Sequence, residues 1–137
     1  MKKKLLTLFT VCCLGMSMTV PVMANNSTDT TLPEKFVDSS RHVQTGLRSK
    51  QDKTPHYVYN TSKFGYQVIS YNENFVNHTV NKTATVAAGK KRFVRNTIYK
   101  DGFRKCRLDI TVAKVGTSGN VQGIWSPDSV GSYPYAN

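Results

Sequence analysis

From Thr54 onward the sequence predicts an all-β fold, a single small antiparallel β-sandwich or barrel, and three observations carry that reading. Short runs rich in Val, Ile, Tyr, Phe and Thr alternate with turn residues at the spacing that sandwiches and barrels show. The run 103–115 sets Cys106, Leu108, Ile110 and Val112 against Lys105, Arg107, Asp109 and Thr111, the period of a half-buried strand. No long helical periodicity follows residue 54.

The domain is preceded by two other segments. Lys2, Lys3 and Lys4 lead into an apolar run from Leu5 to Val20, and Pro21-Val22-Met23-Ala24 ends it. A basic start, an apolar middle and small residues at the −3 and −1 positions make residues 1–24 a cleavable signal peptide, with cleavage expected after Ala24. The run is short for a bilayer span, so no transmembrane segment is expected after cleavage. Cys12 and Cys13 lie mid-run with no small residue placed for lipidation, and Leu32-Pro33-Glu34-Lys35 lacks the second half of a sortase signal. The mature chain should be secreted and free, or held at the cell surface by non-covalent contacts. Residues 25–53 are polar, with few large apolar groups, and are expected to form a largely flexible segment.

Seven strands follow in residues 54–137: 56–60, 65–71, 74–80, 83–87, 91–99, 103–115 and 120–125. Turn signals separate them at Lys63-Phe64-Gly65, Asn72-Glu73-Asn74, Ala88-Gly89, Asp101-Gly102 and Gly116-Thr117-Ser118-Gly119. The strand 103–115 is expected to pair with 91–99 in a hairpin around Lys100-Asp101-Gly102. A two-residue loop would turn Arg95 toward the core. A three-residue loop, with Gly102 left-handed, pairs Val94 with Leu108 and sends Arg95 out. Burying an unpaired charge costs far more than the difference between common turns, so the three-residue loop is chosen.

Charge gives the functional lead. The whole chain carries +11, and removing the three signal lysines leaves 16 basic against eight acidic residues, a net +8. Eight of those cations fall in residues 90–107. Such a field draws polyanions and weakens as salt screens it. On the expected hairpin, Arg95, Lys105 and Arg107 share the outward face with Tyr99 and Phe103, and cations beside rings suit phosphate-bearing polymers. The same residue types are also plain strand formers. Trp125, the single tryptophan, lies beside the Ser126-Pro127-Asp128-Ser129 turn, where it either contacts a ligand or pins the C-terminal segment to the core.

Several chemistries lack their residues. Cys106 is the one cysteine left after cleavage, so no internal disulfide can form, and its place among core residues makes it an inert thiol. His42, His56 and His78 have no metal-ligand spacing, so neither metal nor cofactor is expected. Gly116-Thr117-Ser118-Gly119 does not have the pattern of a nucleophile elbow, and Asp52, Asp101 and Asp128 sit where Asp caps turns. No catalytic residue is assigned and no enzyme is expected.

The run Thr45 to Thr54, the strand Tyr57-Val58-Tyr59-Asn60 and the ending Gly123-Ile124-Trp125-Ser126-Pro127-Asp128-Ser129-Val130-Gly131 resemble a group of small secreted β-rich proteins of unknown function from Gram-positive bacteria. The resemblance covers about residues 45–137 and transfers no site residue. It implies a bacterial export route, on which the Asn-x-Ser/Thr sites at Asn60, Asn77 and Asn81 are not glycosylation signals. The expected function is non-catalytic binding of an anionic cell-wall polymer or membrane surface, with no specific nucleic acid. The alternative is an antagonistic, bacteriocin-like protein acting on competitor cells.

Overall fold

A computed structural model describes residues 25–137; the expected signal peptide lies outside the described residues. The strands in chain order are β1 (Thr30–Thr31), β2 (Phe36–Val37), β3 (Val43–Gln44), β4 (Arg48–Ser49), β5 (His56–Asn60), β6 (Tyr66–Asn72), β7 (Ala84–Val86), β8 (Lys91–Val94), β9 (Lys105–Val112), β10 (Gly119–Asn120) and β11 (Gly123–Ser126). The described residues contain no helix, and hence none long and apolar enough to cross a membrane.

Two antiparallel sheets share one core, and neither closes into a barrel. The first has the order β1-β11-β5-β8; the second runs β3-β9-β6-β7, with β4 also on β9, and β2 and β10 form a separate pair. Alternation decides which side chains meet between the sheets. Val58 of β5 and Trp125 of β11 face inward from the first sheet, and Tyr66 and Val68 of β6 and Cys106, Leu108 and Ile110 of β9 from the second. Each fully buried Val, Leu or Ile side chain stabilises the fold by roughly 1.5–3 kcal/mol. The longest ladder joins β6 to β9 from Tyr66↔Val112 to Asn72↔Cys106, which places β9 at the centre of its sheet.

The ladder differs from the sequence expectation at its most specific point. The segments 91–99 and 103–115 do not form a hairpin. β8 pairs with β5, Tyr57 opposite Phe93, while β9 lies in the other sheet. Beyond Val94 the backbone turns to 78–80: the Val80 amide donates to the Arg95 carbonyl at 3.0 Å and the Thr97 amide to His78 at 2.9 Å. A turn over Thr97–Gly102 then carries the chain across the sandwich. Gly102 is left-handed, as the turn requires (φ +91°), and Ile98 is buried at the crossing. Val94 thus reaches the core from the opposite sheet, and Ile98 from the turn between the sheets.

Residues 25–53, expected to be flexible, instead carry β1 to β4 and place Leu32, Val37 and Val43 in the core. Two of these short strands cover the edges of longer ones, with Thr30 opposite Trp125 of β11 and Val43 opposite Ile110 of β9, while β2 pairs with the equally short β10, Val37 opposite Gly119. Residues 74–80 form no strand. The Asn72 carboxamide accepts the amides of Asn74 and Val76 at 2.8 and 3.0 Å, folding the backbone locally. The expected run 120–125 divides into β10, which pairs with β2, and β11, which pairs with β5; at the start of β11, Gly123 (φ +147°) sits so close to the Tyr59 carbonyl that a Cβ there would lie 2.1 Å from it.

Candidate functional site

The cations singled out in the sequence separate in space. Arg95 lies just past β8 in the first sheet, whereas Lys105 and Arg107 lie on β9 in the second. Lys105 is exposed, but the Arg107 guanidinium stacks on the Phe75 ring at 4.2 Å, with its Nε buried and without a hydrogen-bond partner. Asp109 occupies the same outward row of β9, held by His42 Nδ1 at 2.9 Å and Gln44 at 3.0 Å, so a carboxylate interrupts the basic face. Tyr99 and Phe103 belong to the turn between the sheets; Arg104 covers Tyr99, and Phe103 packs against the core and His78. Trp125 is buried to 1% exposure, edge-on to His56, with Arg48 over its ring. It pins β11 to the core.

A different basic aromatic face assembles on the outside of the first sheet. On β5 the odd-numbered side chains point out, so Tyr57 stands beside Phe93 and Tyr59 beside Lys91 in the β5–β8 register. The Lys91 ammonium lies 5.0 Å from the centre of the Tyr59 ring. The C-terminal segment completes the face. The Phe93 amide donates to the Pro134 carbonyl at 2.9 Å and the Ala136 amide to the Phe93 carbonyl at 2.8 Å, a parallel bridge that brings Tyr135 onto the side of Phe93. Tyr133 packs on both Tyr57 and Phe93, with ring centres 5.2 and 5.4 Å apart. The Arg95 guanidinium covers Tyr135 at 4.9 Å, and Asn137 ties the segment down by donating to the Val80 and Arg95 carbonyls.

This strip runs from Tyr59 and Lys91 through Tyr57 and Tyr133 to Tyr135 and Arg95. Four phenols offer flat apolar faces with hydroxyl edges, and a cation flanks each end. Of the residues expected from sequence, only Arg95 belongs to it. Lys91, Tyr57, Tyr59, Tyr133 and Tyr135 were missed. Their sequence signals were the charge run at 90–107, which holds Lys91, and the alternation Tyr57-Val58-Tyr59, which puts two phenols on one face of a strand.

A second polar cluster is buried. The Lys50 ammonium, 1% exposed, donates to the Asp128 carboxylate and to the carbonyls of Asp52 and Thr54 at 2.8 and 2.6 Å. Asp128, wholly buried, also accepts the amides of Gln51 at 2.9 Å and Asn26 at 2.8 Å. Beside it His56 bonds the Pro127 carbonyl through Nδ1 at 2.7 Å and the Ser70 hydroxyl through Nε2 at 2.6 Å. Burial first, and the Lys50 charge second, lower the His56 pKa to about 3. The ring is therefore neutral, donating to Pro127 and accepting from Ser70. Both members of this Ser–His pair are sealed from solvent, and a backbone carbonyl, not a carboxylate, orients the ring. The cluster ties residues 26, 50–56 and 127–128 together. Burial likewise pushes the Cys106 thiol up to about 12.

A family model described as a protein of unknown function (DUF2712) matches residues 20–129. No curated protein and no solved structure matches the chain.

Proposed function

The chain belongs to that family of unknown function, and from that premise we propose that it is a secreted, non-catalytic binding protein of the Gram-positive envelope that holds an anionic polymer across the outer face of the first sheet. The observation that supports this reading best is the strip of Tyr57, Tyr59, Tyr133 and Tyr135 flanked by Lys91 and Arg95. Rings on a rigid sheet give a polymer a flat surface for its apolar faces, and the cations at either end take its phosphates. The net +8 of the mature chain draws such a polymer from a distance. The outer face of the second sheet is a poorer candidate, because the Asp109 carboxylate stands in the same row as Lys105 and Arg107.

The test is retention of the purified mature chain on isolated cell walls, with and without teichoic acid, across a salt series. Retention should require the anionic polymer and fall as salt rises. A cation near an anionic surface contributes about 1 kcal/mol, so the double variant Lys91→Ala, Arg95→Ala should bind roughly 30-fold more weakly. Equal retention by this variant and the unaltered chain would refute the assignment of the face.

A further inference from the structure

Beside the middle of the strip the surface dips into a cleft of about 160 Å³, lined by Tyr57, Tyr133, Ser126 and Ser129, with Ser27 and Asp29 on its other side. We propose that this cleft seats an ammonium group, primary or quaternary, carried on the polymer bound by the neighbouring strip; the inference rests on that reading of the strip and extends it.

Three features of the cleft converge on a cation. First, Asp29 makes no ion pair and no side-chain hydrogen bond among the described residues, although the mature chain has twice as many cations as acids. The nearby cation, Arg48, is close enough for Asp29 to favour its charge, but it makes its hydrogen bonds elsewhere, to the carbonyls of Trp125 and Thr28 at 3.1 and 2.7 Å, with its guanidinium over Trp125. Second, two phenol rings line the cleft, Tyr57 and Tyr133, packed on each other with centres 5.2 Å apart and planes inclined at 42°, and such electron-rich rings attract an ammonium ion beside them. Third, burial, with Tyr133 and then Asp29 adding to it, raises the pKa of the Tyr57 phenol. Its hydroxyl stays protonated, so the cleft carries a single negative charge, that of Asp29.

Size narrows the occupant. A cavity of about 150 Å³ holds one benzene-sized group. The cleft therefore takes a trimethylammonium group or the amine-bearing edge of one amino sugar, not a run of polymer. A phosphate would meet Asp29 and be repelled. The strip selects anions and the cleft a cation, so the two together select a polymer whose repeat carries both charges.

The test is an NMR titration of the mature chain with choline, with glucosamine and with neutral N-acetylglucosamine. The expected result is saturable shifts at Ser27, Asp29, Tyr57, Ser129 and Tyr133 with choline or glucosamine and not with N-acetylglucosamine. The stronger of the two distinguishes a quaternary from a primary amine. Asp29→Asn should weaken binding roughly tenfold, as should Tyr133→Leu. Asp29 is exposed and unpaired, so its variant tests recognition and not folding. Lys91→Ala, Arg95→Ala should leave the small cations bound while lowering wall retention, which separates the cleft from the strip. No shift with either cation, equal response to N-acetylglucosamine, or unchanged affinity in Asp29→Asn would overturn the inference; wall retention that still depends on Lys91 and Arg95 would then leave the strip standing.

Discussion

Asp128→Asn should destabilise the fold more than the loss of any exposed charge. Lys50 is 1% exposed, and its ammonium has three acceptors, of which only the Asp128 oxygen carries a full charge at hydrogen-bond distance. Removing one partner of a buried pair costs about 3–5 kcal/mol. Asp52 stays 3.8 Å from the ammonium and is partly solvated, so the cost should fall near the low end, about 3 kcal/mol. For a chain of this length that lowers Tm by roughly 12 °C or more. Lys50→Met should cost less, because the Asp128 carboxylate keeps the amides of Asn26 and Gln51. The double variant Lys50→Met, Asp128→Asn buries no charge at this site and should recover about 2 kcal/mol relative to the sum of the singles. Urea unfolding followed by fluorescence of the single, buried Trp125 measures all four proteins. A loss below about 1 kcal/mol in Asp128→Asn, or strict additivity in the double variant, would refute the view that a desolvated charge pair anchors residues 26 and 50–54 to the C-terminal turn.

Four further outcomes follow from the same geometry. His56 takes up a proton near its ordinary pKa of 6.5 only when unfolded, because burial holds it at about 3 in the fold. Stability should therefore be full above pH 6.5 and fall by about 1.4 kcal/mol per unit from there toward pH 3; His56→Gln should flatten the urea midpoint between pH 7 and 4.5. Cys106, buried and with its pKa raised, should resist a thiol reagent in the native chain and react fully in urea. Gly123→Ala should cost more than the roughly 1–3 kcal/mol of backbone strain alone, since the added Cβ meets the Tyr59 carbonyl; a smaller loss in Tm would mean that β5 and β11 part easily. Deleting residues 133–137 uncovers the backbone of β8 along Phe93 and Arg95 and should produce concentration-dependent association by light scattering.

Alternation made much of the fold legible. It set which side chains of β5, β6 and β9 face the core, and His56–Asn60 forms a strand over the expected residues. It could not set partners. Val94 satisfies the core equally well from the sheet opposite Leu108, and Ile98 from the turn between the sheets, and no local energy term separates a hairpin at Asp101-Gly102 from a crossing between sheets. Nor could composition show that residues 25–53 are ordered. Leu32, Val37 and Val43 are too sparse to form a core of their own, and they are buried because the edges of β11, β10 and β9 receive them. Lys50 and Asp128 are likewise 78 residues apart, and each reads locally as a solvated charge.

The candidate face was illegible for a related reason. Its residues come from β5, from β8 and the residue just past it, and from the last five residues, three stretches far apart in sequence. Lys91 comes to Tyr59 through the β5–β8 register, and Tyr135 comes to Phe93 through a parallel bridge. The segment that supplies Tyr133 and Tyr135 also pairs with the open edge of β8. Edge strands invite unwanted pairing, so a segment that must cover this edge is held in one place, and its rings become as fixed as those of the sheet. Fixed rings lose little conformational freedom on binding. The contact that protects the edge thereby also organises the surface, and the charge run at 90–107 contributes through its two members at that edge, Lys91 and Arg95, and not through its density.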